Sequence, residues 1–239
     1  MNPTLAMEGP RATITLSRPA EHNRIDPADL AVITGYFERL LADASVRVLV
    51  ITGSGDKTFS SGYTIGAIRG ELDDRFENML DTLEALPLPV VCALNGSVFG
   101  GATDLALACD FRIGIRGSRM LMPAAKFGLH YYPGGIRRYV TRLGLSAAKK
   151  LFLTAQAIDS EEMLRIGFLT ELVEPAELDA AVTRYVDAIA ACEPVVLASM
   201  KRHLNQAADG TTDLAALRAD YDRSLGSAEL ARRLDALEK

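Results

Sequence analysis

The stretch Pro89–Asp110, PVVCALNGSVFGGATDLALACD, decides the reading of this chain. Val90, Val91, Cys92, Ala93 and Leu94 form a short apolar run behind two prolines, the pattern of a buried strand. Asn95-Gly96 breaks the run, and Gly100-Gly101 opens a segment in which Leu105, Ala106 and Ala108 recur at helical spacing. A strand that delivers two glycines to a helix start leaves bare N–H groups at the positive end of the helix dipole, where an oxyanion is stabilised. The same glycines would equally serve close packing of strand on helix, and these residues alone leave both readings open.

On the N-terminal side, Arg11–Ser17 (RATITLS) alternates Ala12, Ile14 and Leu16 with Thr13 and Thr15, the period of a half-buried strand that Arg18-Pro19 ends. Asp26-Pro27 supplies an N-cap and a proline at the first helical position for a helix through Leu41. Val46–Thr52 (VRVLVIT) is β-branched and apolar, as in a strand covered on both faces. Strand, helix and strand in that order are the unit of a parallel sheet.

Gly53–Gly70 reads as a long glycine- and serine-rich loop at the end of a strand, a position that often carries function. It has neither a GxSxG elbow nor a GKS or GKT ending, which argues against a serine hydrolase and a phosphate loop. Leu72–Leu86 has the apolar spacing of a helix, and Phe111–Ile115 that of a strand. Pro123–Gly135 (PAAKFGLHYYPGG) is a second loop of functional character, with His130, Tyr131 and Tyr132 before a glycine pair and a new helix. From about Leu143 the chain reads as helices, with caps expected at Ser146, Asp159-Ser160 and Thr212-Asp213 and a short strand within Phe168–Val173. Apolar faces in excess of what one sheet can cover predict an oligomer.

The 239 residues, 49% hydrophobic and 24% charged, are enough for a large single core. A net charge of −5 argues against a general affinity for nucleic acid or an anionic membrane. Cys92, Cys109 and Cys192 show no CxxC spacing and read as reduced core residues. The histidines His22, His130 and His203 lie far apart in sequence, so no bound metal is expected. With no leader pattern and no long apolar run, the cytoplasm is the expected compartment.

Taken in order, RATITLSRPAEHN, VRVLVITGSGDKTFSSGYTI, ALNGSVFGGATDLALACDFRI, FGLHYYPGGIRRYVTRLG and LFLTAQAIDSEEMLRIGFLTELVEPAEL resemble the enoyl-CoA hydratase/isomerase, or crotonase, superfamily over nearly the whole chain. The resemblance implies an α/β fold, a spiral of ββα units over residues 1–190, and a C-terminal helical region, 191–239, that builds a homotrimer or a hexamer. It implies an acyl-CoA substrate, with coenzyme A carried by that substrate and no separate cofactor. It also implies that the amides of Tyr63 and Gly101 hold the thioester oxygen, with Ser61, Gly62, Ile65 and Gly100 around them and Arg24 near the coenzyme A phosphates.

The resemblance departs at the two family glutamates: one position is Asp104 and the other is Ala124. A carboxylate set back by one methylene is poorly placed, and an alanine has no proton to move. Asp104 reads either as the base of a hydratase or as a structural residue, and Tyr131, His130 and Tyr132 are the nearby candidate proton carriers. The segments GLHYYPGGI and GSVFGGA are similar to the methylmalonyl-CoA decarboxylase branch, in which Tyr131 has a counterpart and Tyr63 and Thr64 do not. Three readings follow: a hydratase-like lyase, a malonyl-type decarboxylase, and an acyl-CoA-binding protein without catalysis.

Overall fold

The computed structural model describes residues 1–237. A hairpin of β1 (Thr4–Glu8) and β2 (Arg11–Leu16) leads through α1 (Pro27–Leu41) into the first of three similar turns of chain. The first turn is β3 (Val48–Gly53), β4 (Thr58–Ser60), α2 (Ile68–Glu71) and α3 (Asp74–Ala85). The second is β5 (Val90–Leu94), β6 (Ser97–Phe99) and α4 (Gly101–Ala108), and the third is β7 (Phe111–Ile115), β8 (Arg119–Leu121) and α5 (Pro133–Leu143). Then come α6 (Leu145–Thr154), β9 (Ile158–Asp159), α7 (Ser160–Arg165), β10 (Glu171–Val173), α8 (Leu178–Ala190), α9 (Pro194–Ala208), α10 (Leu214–Leu225) and α11 (Ala228–Leu237).

In each turn the first strand joins a sheet of order β1-β2-β3-β5-β7-β10, and the second joins a sheet of order β4-β6-β8-β9. Consecutive turns pair in parallel in both sheets: Ile51 lies beside Cys92, Ala93 beside Ile113, and Val98 beside Met120. This is a spiral of ββα units. The all-apolar strands follow from burial of both faces. Val48, Val50, Val91, Ala93 and Ile113 pack against Val182, Val186 and Ile189 of α8. Leu49, Ile51, Val90 and Cys92 face the main core with Ile33, Phe37 and Leu105.

The departures from the sequence reading are local. Gly53–Gly70 is not one loop, because it contains β4 and α2; Asn95-Gly96 leads not to a helix but to β6, the step into the second sheet. Strands of three residues are too short to show a period. Gly134 and Gly135 lie inside the first turn of α5, since Pro133 starts that helix; Ser146 lies inside α6, which follows Gly144. Asp159 and Asp213 do cap, accepting from the amides of Glu162 and Ala216 at 2.8 and 3.0 Å. Cys92 and Cys109 are core residues, and burial together with the neighbouring Cys109 pushes the Cys92 thiol well up. Cys192 is exposed instead, because it falls in the turn between α8 and α9.

Helix α9 is fastened to the spiral by Lys201, whose Nζ donates to the Leu88 carbonyl at 3.1 Å and to Asp110 at 2.7 Å. Beyond it α10 buries none of its residues, and Leu204, Leu214, Tyr221 and Leu225 lie exposed. No helix among the described residues is long and apolar enough to cross a membrane. The last two residues of the 191–239 region lie outside the described residues.

Candidate active site

A cavity of about 280 Å³ opens where the two glycine-bearing segments meet. Ser61, Tyr63 and Ile65 enter it from the chain after β4, Gly100 and Gly101 from the start of α4, and His130, Tyr131 and Tyr132 from the chain before α5. The spiral explains the convergence. β4 and β6 are neighbouring parallel strands, so the segments that leave their C-terminal ends lie side by side.

The contact between these two segments is backbone to backbone. Gly62 has φ +85°, and a Cβ there would sit 2.6 Å from the Phe99 carbonyl oxygen and 2.7 Å from the Gly101 nitrogen. Only glycine permits both the left-handed backbone and that approach. A Cβ on Gly101 would in turn lie 3.6 Å from the Tyr63 nitrogen, so the Tyr63 and Gly101 amides are close neighbours. Gly62 donates to Ser60 Oγ, Thr64 to the Ile25 carbonyl and Gly100 to the Leu121 carbonyl. Neither Tyr63 nor Gly101 donates its N–H to an acceptor among the described residues. Two unpaired donors beside a cavity are a rare arrangement for buried backbone.

The remaining lining is largely aliphatic and aromatic, including Ile68, Leu72, Phe76, Met122 and Leu129. Ala124 lines the cavity, and no aspartate or glutamate lies among the lining residues. The Tyr63 hydroxyl is turned away and donates to the Glu71 carbonyl at 2.8 Å, so the amide is what Tyr63 offers the cavity. His130 is exposed at the rim, and its Nδ1 donates to the Tyr131 carbonyl at 2.7 Å.

Asp104 corrects the reading of it as a base within the cavity. It lies wholly buried behind the wall formed by Tyr132, where Arg138 Nε and Nη2 donate to its two oxygens at 2.9 and 3.0 Å and the Tyr132 hydroxyl donates to Oδ2. These partners, and not its spacing of three residues from Gly101, hold the aspartate away from the amides. Arg24 lies outside the cavity lining, and its Nε pairs with Glu21 at 2.8 Å and Asp26 at 3.0 Å.

Tyr131 and Tyr132 stack with ring centroids 4.4 Å apart, and their hydroxyls are separated by 3.3 Å. Burial pushes both phenols well up; for Tyr131 the neighbouring Tyr132 adds to this, and for Tyr132 the Asp104 charge does. Gly135 makes the stack possible, because a Cβ there would lie 2.2 Å from a Tyr131 ring carbon. Gly135→Ala is expected to destabilise the fold by about 1–3 kcal/mol through overpacking. Urea unfolding measures that loss, and near-ultraviolet circular dichroism of the tyrosines reports the displaced stack.

Arg138 was not singled out by its sequence context, although a wholly buried arginine is uncommon. Its Nη1 also reaches Asp81 at 2.6 Å and Glu84 at 3.2 Å, and Glu84 binds Arg137 and Arg142 as well. Burial opposes ionisation of Glu84, but the Arg137 hydrogen bond and the charges of Arg138 and Arg142 outweigh it and hold the carboxyl below its ordinary value. A depressed carboxyl stabilises the fold above its unfolded pKa of about 4.3 and loses that contribution as the pH falls through the folded value. Urea midpoints should therefore drop steeply below about pH 4. In Glu84→Gln that acid limb should flatten.

The sequence model of the enoyl-CoA hydratase/isomerase family matches residues 9–227. The chain is 30% identical over 221 residues to a short-chain-enoyl-CoA hydratase of Clostridium acetobutylicum, covering 90% of this chain and 85% of that protein. It is 32% identical over 184 residues to a crotonyl-CoA hydratase of Syntrophomonas wolfei, covering 74% and 71%. In structure it superimposes with a TM-score of 0.91 on an enoyl-CoA hydratase/carnithine racemase from Magnetospirillum magneticum, at 26% identity over 99% of this chain and 92% of the other. The ββα spiral is thus matched by both sequence and fold. The chain belongs to the enoyl-CoA hydratase/isomerase family.

Proposed function

We propose that the chain is an acyl-CoA lyase that binds the thioester with its carbonyl oxygen between the Tyr63 and Gly101 amides and stabilises the enolate formed there. The observation that carries this reading is the pair of amides without acceptors beside the cavity. Enolisation moves negative charge onto the thioester oxygen, and donors fixed in advance stabilise that charge without reorganising. The phenols of Tyr131 and Tyr132 and the rim imidazole of His130 are the proton-bearing groups within reach. Ser61, Ile65 and Gly100 shape the space around the thioester. The proposed chemistry needs no cofactor beyond the coenzyme A of the substrate.

A second reading, decarboxylation of a malonyl-type thioester, is favoured by one feature: the lining carries no carboxylate. Loss of carbon dioxide generates the enolate without a base, and an apolar wall disfavours a charged substrate carboxylate relative to the transition state. Incubation with crotonyl-CoA and methylmalonyl-CoA, followed by mass spectrometry, separates the two. Addition of water to the first supports hydratase-like chemistry, and release of propionyl-CoA from the second supports decarboxylation. Binding of both without turnover would leave the chain as an acyl-CoA-binding homologue.

Assembly as a homotrimer or hexamer in the cytoplasm completes the proposal. The exposed apolar side chains of α9 and α10 support it. Light scattering on the eluted protein should give three or six times the 25.8 kDa chain mass, and a monomer would defeat it.

A further inference from the structure

The hydrogen bonds of the two phenols have a definite direction, set by what holds the inner one. Asp104 receives two donors from Arg138, and a carboxylate accepts hydrogen bonds but has no proton to give. The Tyr132 hydroxyl therefore donates to Asp104. With its one proton committed, the Tyr132 oxygen can only accept, and its neighbour at 3.3 Å is the Tyr131 hydroxyl. Tyr131 donates inward to Tyr132. Tyr131 lines the cavity, and with its proton turned inward its oxygen keeps lone pairs that can accept one.

We propose that Tyr131, Tyr132 and Asp104 form a proton line, held in register by Arg138, through which a carboxylate outside the cavity removes a proton from a substrate inside it. This rests on the enolate reading above and deepens it, naming as substrate class the acyl-CoA thioesters with an α-hydrogen. When that hydrogen leaves for the Tyr131 oxygen, the Tyr131 proton passes to Tyr132 and the Tyr132 proton to Asp104. The substrate keeps the C–H electron pair as its enolate, both phenols end neutral, and Asp104 ends as a carboxylic acid. Reversal returns the proton.

Two features support the line. It needs no phenolate, which the buried site disfavours for both tyrosines. The ion pairs around Asp104 also leave room for a proton. They join Arg137, Arg138 and Arg142 to Asp81, Glu84, Asp104 and Asp209, one carboxylate more than guanidinium groups. The nearby Tyr139 hydroxyl bonds Thr103 and stands outside the line. Arg138 acts as a positioning residue, since it touches Asp104 and is not part of the cavity lining.

The test is exchange of the α-hydrogens of butyryl-CoA in D2O, read by mass spectrometry for the wild type, Tyr132→Phe and Asp104→Asn. Tyr132→Phe keeps the stacked ring and removes one oxygen; it should lower the maximal exchange rate by about 100-fold or more with KM little changed. Asp104→Asn, which removes the terminal acceptor of the line, should lower the exchange rate by a similar factor. If Asp104→Asn does not fold, Tyr132→Phe decides alone. Exchange by Tyr132→Phe at the wild-type rate overturns the proton line and leaves the enolate reading standing. No exchange by the wild type overturns the proton line, and the enolate reading is then decided by turnover of crotonyl-CoA and methylmalonyl-CoA.

Discussion

Gly101→Pro is expected to lower kcat/KM for acyl-CoA turnover by roughly 100- to 1000-fold, the usual effect of removing one oxyanion donor. Gly101 is the first residue of α4, the helix position where proline is best tolerated, so the substitution deletes an N–H without breaking the helix. It also introduces a Cβ, which would meet the end of the Phe76 ring at 2.8 Å. Gly101→Ala carries the same Cβ and keeps the amide. The difference between the two variants therefore isolates the hydrogen bond from the crowding. Equal activity of the proline and alanine variants would remove the Gly101 amide from the proposed oxyanion site.

Arg138→Met is expected to cost about 3–5 kcal/mol of stability, because it leaves the wholly buried Asp104 without its guanidinium. Adding Asp104→Asn should recover part of the loss, since no buried charge then stands alone. Urea unfolding of the two single variants and the double variant measures that coupling. Strict additivity would mean that Arg138 stabilises the fold through Asp81 and Glu84 rather than through Asp104.

Much of the fold was legible because its strands are long enough or apolar enough to carry a pattern. Val46–Thr52 and Val90–Leu94 declare burial on both faces, and α8 and the main core supply the two coverings. The second sheet was legible only at β8, where Arg119–Met122 reads as a short strand; β4 and β6 have three residues each and are held by partners distant in sequence. At the candidate site, Tyr63, Gly101 and Tyr131 were named from motif and resemblance, and they do share one cavity. Arg138 was missed because nothing local to PGGIRRYVTRL separates it from Arg137, which is part-exposed.

Apart from the ββα spiral, which came from the family resemblance, the order of apolar runs, glycine pairs and caps was enough to determine the alternation of strands with helices, the absence of a serine elbow, and the two segments that could supply bare amides. These are properties of backbone and local period, which a chain carries wherever it folds. Tertiary structure decided which way Asp104 faces. Its spacing from Gly101 suits a base, but Arg138, 34 residues further on, offers two hydrogen bonds in a fully buried place, and Tyr132 supplies a third. A charge removed from water goes where its partners are, and those partners come from other turns of the spiral.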